Sequence, residues 1–256
     1  MDNTEFLTRQ KRLLREMQPN SICLLPASNL VTRSRDTEYP FRQDSYFHYL
    51  CGFPEPEAWL VLSNHQEYPQ DMCILFCLDK DPTMEIWHGR RLGPKQAKQQ
   101  YAVDMAFAVD ELEERLLDLI DDHQHLYFAQ GHDHATDDLV FSLLQALRDA
   151  PKQSKNAPSS LIDVRIILDE MRLIKSAAEI DMMRQAAAIA TQAHIRAMQF
   201  VEAGKNEYHL EAEIHHEFAM QGAKYPAYGT IVGAGDNACI LHYTENNQGL
   251  RGGDLV

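Results

Sequence analysis

Apolar residues recur at helical spacing at the start of the chain, where Phe6, Leu13, Leu14 and Met17 fall near one stripe and Pro19 follows the end. Short apolar runs come next, at residues 21–27 (SICLLPA), 45–53 (SYFHYLCGF), 58–63 (AWLVLS), 72–78 (MCILFCL) and 84–89 (MEIWHG). Turn chemistry such as Phe53-Pro54-Glu55-Pro56-Glu57 and Asp79-Lys80-Asp81-Pro82 separates them, and each run reads as a strand. Their close spacing predicts neighbours in a mixed sheet. Helix and strand then alternate. Residues 110–122 carry Leu112, Leu116, Leu119 and Ile120 on one helical face, residues 125–131 read as a strand, and residues 133–150 as a second amphipathic helix. A sheet flanked by helices is the economical arrangement, an α/β fold.

The pattern breaks at residues 151–160 (PKQSKNAPSS), which lack large apolar side chains and hold two prolines. That places a boundary between a domain at 1–160 and a second at 161–256. A long helix is predicted over 176–201, with Ser176 as N-cap and Glu179 three residues on, a capping box. Another follows over 206–221, stopped by Gly222. From Tyr225 onward the chain is glycine-rich, and its short apolar runs read as strands. The last residues, RGGDLV, read as the opening of a further buried strand, so the second domain is expected to be incomplete within these residues.

Composition narrows the functional classes. Hydrophobic residues make up 45% and charged residues 24%, an ordinary globular balance. A formal net charge of -14 repels phosphate, which argues against nucleic acid or an anionic membrane surface as partners. The N-terminal segment has no continuous apolar stretch of the kind a signal peptide needs, and no run is long enough to span a bilayer. Five cysteines, an odd number without framework spacing, suit a reducing compartment, so a cytoplasmic location is expected. Cys73 and Cys77 would share one face of a strand, where buried packing is expected over metal binding.

Candidate chemistry is sparse on spacing alone. His216-Glu217 opens like the zinc-peptidase helix motif, but Met220 occupies the place of the second histidine. His209, Glu213 and His216 share a helical face, which a solvated surface also explains. Gly233-Ala234-Gly235 imitates a dinucleotide fingerprint, yet the following ACILHYT reads as a strand and no helix begins there. A tight hairpin turn is the expected role.

Residues 224–256, KYPAYGTIVGAGDNACILHYTENNQGLRGGDLV, closely resemble the start of the catalytic domain of the Xaa-Pro aminopeptidases (aminopeptidase P), which are pita-bread metallopeptidases. Three further stretches resemble the same family in the same order: residues 36–58, 85–93 (EIWHGRRLG) and 207–226 (EYHLEAEIHHEFAMQGAKYP).

The resemblance implies a creatinase-type N-terminal α/β domain followed by an incomplete pita-bread (α+β) catalytic domain. It implies release of the N-terminal residue from peptides with proline in second position, using two divalent metal ions, usually manganese. The family's metal ligands fall beyond Val256, so no ligand and no bound metal are expected in this chain, and these residues alone are expected to be inactive. His242, in ILHYTEN, matches a non-ligand histidine that assists the transition state. Tyr228 matches a residue lining the substrate pocket. Asp36 and Trp87 match N-domain residues that approach a neighbouring subunit's site in a homotetramer. An arginine of relatives has no clear counterpart, and Lys152 lies about where it would be. A prolidase-like dipeptidase shares the fold, although residues 85–93 and 207–226 favour the aminopeptidase. A non-catalytic oligomerisation or binding module is the alternative from another class.

Overall fold

A computed structural model describes residues 2–65, 72–150 and 154–256, so Lys152 and the opening of the 151–160 segment lie outside the described residues. The chain divides into two compact units, Met1–Ile174 and Lys175–Val256.

In the first unit, the described residues build a six-stranded sheet from β1 (Ser21–Pro26), β4 (Trp59–Ser63), β5 (Met72–Cys77), β6 (Met105–Ala108), β7 (His125–Phe128) and β8 (Ser160–Asp163), in the order β6-β5-β4-β1-β7-β8. β1 runs antiparallel to β4 and β4 to β5, while β5–β6, β1–β7 and β7–β8 are parallel. The parallel pairs that follow one another in sequence, β5–β6 and β7–β8, are each joined by a helical crossover.

Continuous apolar runs form the central strands because both faces are covered. Cys23 and Leu25 of β1, Leu60 and Leu62 of β4, and Cys73, Leu75 and Cys77 of β5 enter one core. Ile22, Leu24, Val61, Ile74 and Phe76, the alternate positions, enter the other. The first core is closed by α1 (Asn3–Glu16) with Leu13 and Leu14, and the second by α5 (Leu112–Ile120) and α6 (His134–Arg148). The cysteine pair of β5 is therefore packing: burial pushes both thiols up, Cys77 to about 12.

Two runs read as strands are helices. Residues 45–53 contain α2 (Ser45–Cys51), because the Asp44 carboxylate caps the free N–H groups of Tyr46 and Phe47 and Gly52 ends the helix at φ +67. A side chain at Gly52 would overlap the Phe6 ring. Residues 84–89 fall in α3 (Pro82–His88), where Asp81 caps Thr83 and Met84 and Pro82 opens the first turn. In both cases the local cap outweighs the β propensity of Tyr46, Phe47 and Tyr49 or of Ile86 and Trp87. A small hairpin, β2 (Thr32–Ser34) with β3 (Thr37–Glu38), stands apart from the main sheet.

The first unit continues past residue 160. β8 extends the sheet beside β7, and α7 (Arg165–Leu173) buries Leu168 and Met171, together with Val164, in the first core.

In the second unit, α8 (Ala177–Phe200) packs against α9 (Glu207–Met220). The Ser176–Glu179 capping box opens α8, and Asn206 caps α9. Leu210, Val232, Ala234 and Leu250 form a small core with Ala197 and Phe200 at its edge. The segment from Tyr225, expected as strands, forms no strand among the described residues beyond a single bridge between Asn206 and Gly249. The expected hairpin at Gly233–Gly235 is a 3-10 turn, Gly235–Cys239, and Gly233 has no room for a side chain because the Asn237 backbone lies against it. Among the described residues, no helix is long and apolar enough to cross a membrane.

Candidate active site

The residues singled out in the sequence sit in two settings, each within its own unit. Asp36 occupies the exposed turn between β2 and β3, beside Arg35 at φ 50. Trp87 lies near the end of α3 and is 79% exposed, with Ile86 exposed beside it. Core packing therefore does not account for Trp87 within this chain.

In the second unit, Tyr228 is 74% exposed at a bend. His242 is exposed in a turn, and the Tyr243 N–H donates to the Ile240 carbonyl at 3.4 Å across it. ACILHYT is thus no strand. Its backbone N–H groups bond locally, Ile240 to the Asn237 carbonyl and Thr244 to the Glu245 carboxylate, while the Tyr243 hydroxyl ties the turn to Glu207 of α9. Leu241, 89% exposed, confirms that no sheet face is buried there.

Two buried polar side chains organise this loop. Asn246 accepts from the Val232 N–H at 2.9 Å and donates to the Thr230 carbonyl at 3.0 Å and to Glu211 Oε2 at 2.9 Å. It thereby joins the stretch after Tyr228 to the stretch after His242 and fixes both to α9. Glu207, on the first turn of α9, accepts from Ala234, Asn237, Tyr243 and Gln248. The backbone completes the closure, with Leu250 N–H donating to Lys205 at 2.8 Å and Glu207 N–H to Gln248 at 3.0 Å. Neither Glu207, Glu211 nor Asn246 was singled out in the sequence. The only trace of them there is the i, i+4 spacing of the two acids, which on most helices faces water.

The metal-like triplet of α9 disperses. His209 Nδ1 accepts from the Asn206 N–H at 3.0 Å as part of the helix cap, Glu213 pairs with Arg196, and His216 is exposed. Among the described residues, no group of three or more His, Cys, Asp or Glu side chains could hold a metal ion. The described residues do not fit a metal centre.

The family described as "Aminopeptidase P, N-terminal domain" matches residues 6–127, and "Metallopeptidase family M24" matches residues 181–256. This chain joins an aminopeptidase P N-terminal domain to a segment of the M24 metallopeptidase family. It is 48% identical to the Xaa-Pro aminopeptidase of Escherichia coli (strain K12) over 252 residues, which cover 98% of this chain and 57% of that protein. Against the Xaa-Pro aminopeptidase of Haemophilus influenzae the identity is 42%, covering 98% of this chain and 56% of the relative. The solved structure of proline aminopeptidase P II from Yersinia pestis matches with a TM-score of 0.96 at 47% identity, over 99% of this chain and 58% of that one. The chain thus spans a little more than half the length of these aminopeptidase P relatives. Their likeness shows the fold: an aminopeptidase P N-terminal α/β domain followed by pita-bread catalytic-domain residues.

Proposed function

We propose that the protein carrying these residues is a metal-dependent aminopeptidase that releases the N-terminal residue from peptides with proline in second position. The observation that carries this reading is the clamped, solvent-facing turn at His242, in a chain 48% identical to the E. coli Xaa-Pro aminopeptidase over nearly its whole length. His242 donates a hydrogen bond to the oxygen on which charge develops as the peptide bond breaks, the point at which a fixed donor lowers the barrier most. Tyr228 lines the pocket that takes the substrate. Asp36 and Trp87 reach a neighbouring subunit's site in a homotetramer. The 79% exposure of Trp87 supports that role, since a large aromatic side chain left in water is a common mark of an interface.

Two divalent ions, manganese in this reading, would supply an activated water and polarise the scissile carbonyl. None of the described residues would serve as their ligands. Four buried, unpaired cysteines support a cytoplasmic, reducing location.

Chelation tests the metal requirement. Full-length protein stripped of divalent ions should cease to release free amino acid from an Xaa-Pro peptide, and added manganese should restore the release. Undiminished release after complete removal of metal would contradict the reading.

A further inference from the structure

Glu207 follows the Asn206 cap of α9, a position where an acidic side chain ordinarily faces water and complements the helix dipole. Here it is 0% exposed. One oxygen accepts from the Ala234 N–H at 2.8 Å and the Asn237 amide at 3.2 Å. The other accepts from the Tyr243 hydroxyl at 2.7 Å and the Gln248 N–H at 2.8 Å. All four donors belong to the loop that carries His242, and they bracket it on both sides. Burial by itself would raise the Glu207 carboxyl. The Gln248 N–H, the Tyr243 hydroxyl, the Ala234 N–H and the Asn237 amide outweigh it and hold the group below its usual value. The carboxylate is therefore charged at neutral pH, and its bonds are the strong, charge-assisted kind that fix geometry.

We infer that Glu207 is a positioning residue, whose carboxylate acts through Tyr243 to hold the turn that presents His242. The inference rests on the role given to His242 above. A carboxylate that merely stabilised the fold would do so whether or not His242 were there, and that difference can be measured.

A double-mutant cycle in the full-length protein separates the two cases. Tyr243→Phe removes one donor and leaves Glu207 three others. It should lower kcat by about tenfold with KM little changed, the scale of one lost hydrogen bond. In the His242→Ala background the same change should cost no further kcat, although the melting temperature falls equally in both backgrounds. Glu207→Gln, which puts an amide where donors converge, should show the same dependence on His242 with a larger loss. Losses that multiply in both backgrounds would overturn the inference, since Glu207 would then act independently of His242. So would unchanged kcat in Tyr243→Phe beside an impaired His242→Ala. Wild-type kcat in His242→Ala itself would instead overturn the role of His242, and this inference with it.

Discussion

The Tyr243 hydroxyl donates to Glu207 at 2.7 Å, and both side chains are buried. The bond ties the first turn of α9 to the residue beside His242, across a sequence separation of 36. Around it, Asn246 and the Leu250 backbone fasten the same loop to the same helix end. An irregular loop held by buried side chains in this way can present a side chain as rigidly as a strand would.

His242→Ala in the full-length protein should cut kcat by roughly two to three orders of magnitude, the scale for losing one transition-state donor. Metal content and melting temperature should stay near those of the unmutated protein, because the side chain is exposed at a turn. Loss of metal on mutation would make His242 a ligand. Full metal with unchanged kcat would remove it from the mechanism.

A second prediction concerns pH and the first unit. His123 is buried, with Nε2 2.8 Å from the Ser63 hydroxyl and Nδ1 3.3 Å from the Asp121 carbonyl, while the His65 N–H donates to Ser63 at 3.2 Å. The set closes with a neutral ring: Nδ1–H donates to Asp121, and Nε2 accepts from Ser63, whose oxygen is taken by His65. Burial first, then the adjacent His65 ring, push His123 down from 6.5 to about 4, against the raising effect of the Asp121 and Ile120 carbonyls and of Asp122. The unfolded chain takes up this proton near 6.5 and the folded chain only near 4. Stability is therefore complete above pH 6.5 and is lost as the pH falls from 6.5 to about 4. Between about pH 7 and about pH 5 the loss should be on the order of 2 kcal/mol. Melts at about pH 7 and about pH 5 should show a smaller drop for His123→Gln than for the unmutated protein. Equal drops would contradict the assignment.

Much of the first unit is legible in the sequence, because continuous apolar runs such as MCILFCL declare strands buried on both faces. The two runs misread there as strands, α2 and α3, share a cause. Each helix is short and carries strand-favouring residues, Tyr46, Phe47 and Tyr49 in one and Ile86 and Trp87 in the other, and what decides it is one aspartate, Asp44 or Asp81, capping two N–H groups. The spacing of Phe, Tyr and Trp carries no trace of that cap.

The candidate site is less legible. Family strings single out His242 and Tyr228, but not what holds them. Glu207 looks in sequence like a helix-dipole acid, and Asn246 like a turn residue. Their roles depend on partners many residues away, which no local pattern records. The same distance effect explains ACILHYT: its short apolar run reads as a strand, while its backbone is committed to turns that the Tyr243–Glu207 bond clamps to α9.

Steady-state hydrolysis by the full-length, manganese-loaded protein of two tripeptides, differing only in proline or alanine at the second position, bears most directly on the proposed activity. The account predicts release of the first residue from the proline peptide, with kcat/KM exceeding that for the alanine peptide by about a hundredfold or more. Equal rates on the two peptides would contradict it, as would hydrolysis confined to an Xaa-Pro dipeptide, the behaviour of a dipeptidase, or no hydrolysis of either, the behaviour of a binding module.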